Sequence, residues 1–127
     1  MFEVTVSGWF AASHQLRLAD GSLEPLHGHN WKVAVTFAGP SLDEMEVLID
    51  FTRVRGRLDE LLRTLHDRHL NDLEPFQSKN PSAERVAEFV ALRMGADLAA
   101  PVRLRSVDIE EAPGCTARFL PGAGNGP

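Results

Sequence analysis

The sequence predicts an α+β fold in the order ββααββ, an antiparallel four-stranded sheet with two helices on one face. Three observations predict it. Two N-terminal stretches alternate apolar and polar residues, two central stretches repeat apolar residues at helical spacing, and two further extended stretches follow Pro101. Strands grouped at both ends of the chain, with helices between them, fit a sheet covered on one side. The 127 residues allow one domain with a substantial core, taken as residues 1–120. The tail, residues 121–127, is rich in Gly and Pro, has nothing to bury and is expected to be disordered.

The first strand carries Phe2, Val4, Val6, Phe10 and Ala12 on its even positions, interrupted by Gly8, and the same face ends at His14. Gln15 to Leu26 read as a loop, with turn chemistry in Ala19-Asp20-Gly21-Ser22 and Glu24-Pro25. In the second strand Trp31, Val33, Val35 and Phe37 share one face, which His27 and His29 continue backwards; the strand stops at Ala38-Gly39-Pro40. Val47-Leu48-Ile49 reads as a short extended piece or the end of that connection.

Asp50 and Thr52 are both capable N-caps for a helix whose buried stripe is Val54, Leu58, Leu61, Leu62 and Leu65. The titratable cluster from His66 to Asp72 follows, and on composition alone it reads as a solvated C-terminal turn. Asn80 or Ser82 caps a second helix with Pro81 in its first turn and Val86, Phe89, Val90 and Met94 inside. Val102 to Glu110 and Cys115 to Leu120, separated by Ala112-Pro113-Gly114, read as the last two strands. No internal repeat is evident.

A formal charge of −5 and a pI near 5.5 argue against a general nucleic-acid binder, since phosphate binding needs a basic surface. No apolar run approaches membrane-spanning length, and the N-terminus lacks the basic flank and apolar core of a signal peptide. A soluble cytoplasmic protein is expected. The single cysteine makes no internal disulfide, in keeping with a reducing compartment.

Pairing the first two strands as a hairpin brings the end of one beside the start of the other, and with it His14 beside His27 and His29. A histidine at a strand end is ordinarily solvated or hydrogen-bonded. Three on converging faces describe a catalytic zinc site, with three neutral imidazoles and one open position. A structural zinc would call for a fourth ligand, usually thiolate, and Cys115 is far along the chain. Glu24 stands just before the histidine pair, close to any metal bound there. An isolated four-stranded sheet leaves two edges unpaired, so an oligomeric barrel is expected.

Phe10-Ala11-Ala12-Ser13-His14, Leu26-His27-Gly28-His29-Asn30, Ile49-Asp50-Phe51, Leu70-Asn71-Asp72, Asn80-Pro81-Ser82-Ala83-Glu84 and Glu111-Ala112-Pro113 occur in an order that resembles the 6-pyruvoyl-tetrahydropterin synthase and 6-carboxy-tetrahydropterin synthase family. The resemblance runs from the first strand to the last and omits only the tail. It implies the tunnelling fold, in which three subunits close a β-barrel and two trimers stack into a hexamer with active sites between subunits. It also implies zinc on His14, His27 and His29, with 7,8-dihydroneopterin triphosphate, a small-molecule pterin, as substrate. Glu111 matches the glutamate that grips the pterin ring, Glu110 being the alternative if the register slips by one. Ser82 and Glu84 match the substrate-binding segment. No nucleic acid or membrane partner is implied.

Two departures from the family pattern bear on the product. The cysteine that usually precedes the histidine pair is absent, and Cys115 reads as a small buried side chain of the last strand. Where the family reads Asp-His before the Leu-Asn segment, this chain has His66-Asp67, with His69 further on, and the proton relay falls to one of these. Glu24-Pro25-Leu26-His27-Gly28-His29 resembles the class in which glutamate replaces the cysteine and side-chain cleavage yields 6-hydroxymethyl-7,8-dihydropterin, on the folate route. The alternatives are the 6-carboxy-5,6,7,8-tetrahydropterin reaction of the queuosine route, the 6-pyruvoyl reaction, and a pterin- or metal-binding module without turnover.

Overall fold

The computed structural model describes residues 1–122. Its elements are β1 (Phe2–His14), β2 (His27–Gly39), α1 (Phe51–Arg63), β3 (Arg68–His69), α2 (Ala83–Met94), β4 (Arg103–Ala112) and β5 (Cys115–Phe119). One sheet runs β3-β1-β2-β4-β5, and the helices lie on one face of it. Of the tail expected to be disordered, Pro121 and Gly122 form a turn and the remainder lies outside the described residues.

The antiparallel β1–β2 hairpin carries the core. Its register sets Val6 opposite Val35, Phe10 opposite Trp31, Ala12 opposite His29 and His14 opposite His27. All of these lie on one face because side chains alternate along a strand. Phe10 and Trp31 stack with centroids 5.6 Å apart, both fully buried, and the Trp31 indole N–H donates to the Ala12 carbonyl at 3.2 Å. Gly8 interrupts the apolar pattern where α1 comes closest: a Cβ there would stand 2.9 Å from Leu62 Cδ1. The helices bury Val54, Leu58, Leu61 and Leu62 from α1, and Val86, Ala87, Val90, Ala91 and Met94 from α2, against this face. Asp50 caps α1 by accepting from the Thr52 N–H, and Ser82 caps α2 by accepting from the Arg85 N–H.

The sheet has five strands where four were expected. The extra one, β3, comes from the segment read as a solvated turn. Asp67 adopts φ 58, a left-handed conformation that aspartate tolerates better than most residues, and its N–H donates to the Ala11 carbonyl at 2.6 Å. Arg68 and His69 then pair in parallel with Ala12 and Ser13. A two-residue strand leaves no periodicity to read. Of the two readings of Val47–Ile49 the structure has the second, an irregular end of the connection, where the Asp43 side chain gathers the Met45 and Val47 N–H groups into a turn. Cys115 is exposed, contrary to the buried position expected: it opens β5 directly after the Gly114 turn, at the tip of the hairpin.

Two asparagines clamp the chain that leaves β1. Asn71 accepts from the Gln15 N–H at 2.9 Å and donates to the Gln15 carbonyl at 2.7 Å. Asn80 does the same for Arg17, at 2.7 and 3.0 Å. Each amide imitates a strand partner where no strand is available, and between them they hold the residues just beyond His14. Asn71→Ala is expected to destabilise the protein by about 1–3 kcal/mol, from two lost hydrogen bonds at a partly buried site. Urea unfolding checks this, and Asn80→Ala, nearer solvent, should cost less.

Candidate active site

His14, His27 and His29 meet at one end of the β1–β2 hairpin. Ring centroids are 4.4 Å apart for His14 and His27, 5.4 Å for His14 and His29, and 4.7 Å for His27 and His29. One ligating nitrogen from each lies within 4.8 Å of the others. The rigid floor is Trp31, packed edge-on against His14 at 4.8 Å and His29 at 5.6 Å.

The tautomers follow from the partners. His14 is only 1% exposed, and its Nδ1 lies 2.7 Å from the Pro81 carbonyl. A carbonyl only accepts, so Nδ1 carries the proton and Nε2 presents a lone pair. That Nε2 is buried and has no hydrogen-bond partner among the described residues. An orphaned polar atom of this kind costs about 1–3 kcal/mol unless a ligand takes it. Burial pushes the His14 pKa below its ordinary value against the opposing pull of the Pro81 carbonyl and Glu111, which favours the neutral, metal-binding form.

His27 Nε2 lies 2.9 Å from Glu24 Oε1, and its Nδ1 is 2.6 Å from His29 Nε2. The same Glu24 oxygen accepts from the Leu16 N–H at 3.0 Å. These donors, His27 first and Leu16 second, hold the Glu24 carboxyl below its usual range. Glu111 approaches from β4, with Oε1 3.5 Å from His14 Nε2 and Oε2 3.9 Å from His29 Nε2. It lies on the core face, two residues beyond buried Ile109, whereas Glu110 points the other way, with its carboxylate 3.7 Å from Lys32.

Among the described residues, His14, His27 and His29 are the group able to hold a metal ion, and their chemistry fits one. They supply imidazole ligands only, one with an unspent buried lone pair, and both His14 and His27 give their remaining N–H to an oxygen acceptor. That outer support is characteristic of metal-ligating histidines.

The other expected site residues are not part of the histidine cluster. His66 Nδ1 accepts from the Ala11 N–H at 3.0 Å, its ring packs on Trp9, and its Nε2 is 3.4 Å from Asp67. His69 Nδ1 is 2.9 Å from Ser13 Oγ. Because Ser13 neighbours His14 along the strand, it points to the opposite face, and His69 goes with it. A cleft of ≈ 570 Å³ there is lined by Ser13, Gly28, Asn30, Asp67 and His69, and reaches His29. Ser82 is spent as a helix cap and Glu84 is exposed on α2; neither hydrogen-bonds to the histidines. Sequence reasoning missed Pro81, whose carbonyl carries no side-chain signature, and the two asparagine clamps, which lay inside recognised motifs without an assigned task.

A sheet backed by two helices, with a three-histidine set fit for a metal at the end of its leading hairpin, defines the class. The chain belongs to the 6-pyruvoyl tetrahydropterin synthase family, whose sequence model matches residues 3–121. Solved structures agree on the fold. The Caenorhabditis elegans 6-pyruvoyl tetrahydropterin synthase superposes with TM-score 0.80 at 22% identity, covering 94% of each chain. A Plasmodium vivax 6-pyruvoyltetrahydropterin synthase with a catalytic glutamate replaced by alanine superposes with TM-score 0.74 at 17% identity, over 93% of this chain and 96% of that one. No curated protein sequence matches significantly.

Buried neutral His14 makes apo stability depend on pH. Its pKa in the fold lies below the unfolded value of about 6.5, so the unfolded chain binds more protons at lower pH, and stability is lost as pH falls through that value. Chelator-treated protein is therefore expected to melt progressively lower between about pH 7 and pH 5.5. His14→Gln should flatten that slope in calorimetry; an equal slope in the variant would remove His14 burial as its cause.

Proposed function

We propose that the protein is a zinc-dependent lyase that cleaves the side chain of 7,8-dihydroneopterin triphosphate to give 6-hydroxymethyl-7,8-dihydropterin. Family membership supports a tetrahydropterin synthase-like activity. The observation that carries the finer reading is a carboxylate, Glu24, hydrogen-bonded to one member of the histidine set where the family ordinarily has a thiol nearby. A glutamate described as catalytic in a Plasmodium vivax 6-pyruvoyltetrahydropterin synthase supports giving a carboxylate this role.

His14, His27 and His29 would hold the zinc. Bound there, zinc supplies Lewis acidity that makes side-chain hydroxyls of the substrate easier to deprotonate. Glu24 takes the proton from the hydroxyl on the middle side-chain carbon, next to the carbon attached to the ring. The adjacent carbon–carbon bond then breaks, its electron pair passing to the carbon attached to the pterin ring, and the outer fragment leaves as an aldehyde. A proton returned to the ring-attached carbon completes the hydroxymethyl group. Glu24 is ionised at neutral pH without further activation, unlike a thiol. Glu111, partly exposed beside the histidines, accepts two parallel N–H bonds from the amino-pyrimidinone edge. Ser82 and Glu84, at the start of α2 next to the Pro81 carbonyl that holds His14, complete the proposed binding set.

The protein acts as a hexamer of two barrel-forming trimers. The unpaired part of β1 and the outer edge of β5 are the strand edges available for joining sheets. His66, Asp67 and His69 stand at the β1 edge, and across that join they return protons at a neighbouring subunit's site. Light scattering should report a trimer or hexamer at micromolar concentration; a monomer would leave the relay without a site to serve.

Zinc-loaded protein incubated with dihydroneopterin triphosphate should yield a product shortened by two side-chain carbons in mass spectrometry. A product retaining all three points to the pyruvoyl reaction, one with an oxidised one-carbon side chain to the carboxy reaction, and unchanged substrate to a binding module. Glu24→Gln should keep zinc while turnover falls by about 10²–10⁴-fold; undiminished turnover would transfer the base to His66, Asp67 or His69.

Glu111→Gln exchanges a two-point acceptor for a group that presents a donor to the ring's own donors. Neopterin affinity, measured by calorimetry, should fall strongly with zinc content unchanged. Unaltered affinity would move the ring contact elsewhere.

A further inference from the structure

Residue 24 is held more firmly than proton transfer alone requires. Its N–H donates to the Leu16 carbonyl at 3.0 Å, its own carbonyl accepts from Gln15 Nε2 at 3.1 Å, and Oε1 accepts from the Leu16 N–H at 3.0 Å. Backbone and side chain are thus both tied to the chain leaving β1, three residues or fewer from His14. The oxygen so fixed is the one that meets His27 Nε2 at 2.9 Å. An ionised carboxylate only accepts, so a neutral His27 carries its proton on Nε2 and its lone pair on Nδ1. That Nδ1 faces the cluster, 2.6 Å from His29 Nε2. His14 is arranged in the reverse sense, with Nδ1–H given to the Pro81 carbonyl and the Nε2 lone pair free.

We propose that Glu24 is a positioning residue for the metal ligand His27. Oε1 fixes the Nε2–H tautomer and turns Nδ1 toward the metal, and Oε2, which has no hydrogen-bond partner among the described residues, is the oxygen that meets substrate. The two tasks fall on two atoms of one carboxylate, which a thiolate with its single sulfur could not divide in this way. The assignment rests on the zinc reading above and goes beyond it in naming the ligating atom and what aims it.

The test compares parent, Glu24→Gln and Glu24→Ala for zinc affinity by competition with a chromogenic chelator, with circular dichroism to check folding. Glutamine keeps a side-chain carbonyl that accepts from both N–H groups, so its affinity should stay within a few-fold of the parent. Alanine should lose about 10–100-fold. In long-range 1H–15N spectra of the zinc-loaded parent, His27 should show a protonated Nε2 and a metal-bound Nδ1. Equal zinc affinity in all three proteins, or a protonated Nδ1 on His27, overturns the proposal. The spectrum decides even if the alanine variant fails to fold. A parent that binds no zinc overturns the zinc reading itself, an outcome distinct from equal affinities.

Discussion

The site depends on one constraint, the antiparallel register of β1 against β2. With His14 opposite His27 and Ala12 opposite His29, three imidazoles share a face and an end of the sheet. A slip of one residue would turn His27 and His29 to the other side of the strand and leave His14 without companions. The register is set by apolar pairs along the rest of the hairpin, the nearest of them directly beneath the histidines. Phe10 against Trp31 and Val6 against Val35 are buried pairs whose burial would be lost on slippage, and Gly8 lets α1 close down on β1 where any Cβ would meet Leu62. The packing that fills the core thus also aims the histidines, and Trp31 belongs to both.

Elements with a period were legible. The alternation of Phe2 to His14 and of His27 to Phe37, and the stripes Val54–Leu62 and Val86–Met94, each repeat often enough to identify a strand or a helix and its buried face. The histidine set was legible because all three extend apolar faces. What escaped was structure made by single hydrogen bonds. β3 has two residues, and its entry depends on Asp67 adopting a positive φ; the Asn71 and Asn80 clamps act on backbone atoms of Gln15 and Arg17, which have no residue-type signature. The exposure of Cys115 escapes for a related reason: alternation shows that a strand has two faces, but it does not show that a residue sits at a hairpin tip.

The chain beyond β1 illustrates how polar groups extend the precision of a sheet past its last paired residue. After His14 no strand partner remains on that side, and a free loop would let the ring of His14 wander. Asn71, Asn80 and Glu24 each give or take main-chain hydrogen bonds within residues 15–17, and Pro81 holds the ring itself. These supports arrive from three separate stretches of sequence. The buried Nε2 of His14 is therefore left unpaired by a surround that is otherwise well satisfied, which points to a place kept for a ligand.

Two carboxylates flank the histidines, and their surroundings differ in a way that fits the two tasks proposed for them. Glu24 receives N–H donors on one oxygen from Leu16 and His27, so its charge is supported and its position is fixed. Glu111 receives no hydrogen bond from the described residues: its oxygens stand 3.5 and 3.9 Å from ring nitrogens, and it stays partly exposed at the end of β4. A carboxylate without protein donors keeps acceptor capacity on both oxygens, and a ligand that brings two N–H groups side by side can take the place of the water that otherwise meets them. The amino-pyrimidinone edge of a pterin is such a ligand. In the proposed reading Glu24 is the acid–base group on one side of the histidines and Glu111 the two-point acceptor on the other, an arrangement that suits a substrate whose ring is gripped at one end while its side chain is cleaved at the other.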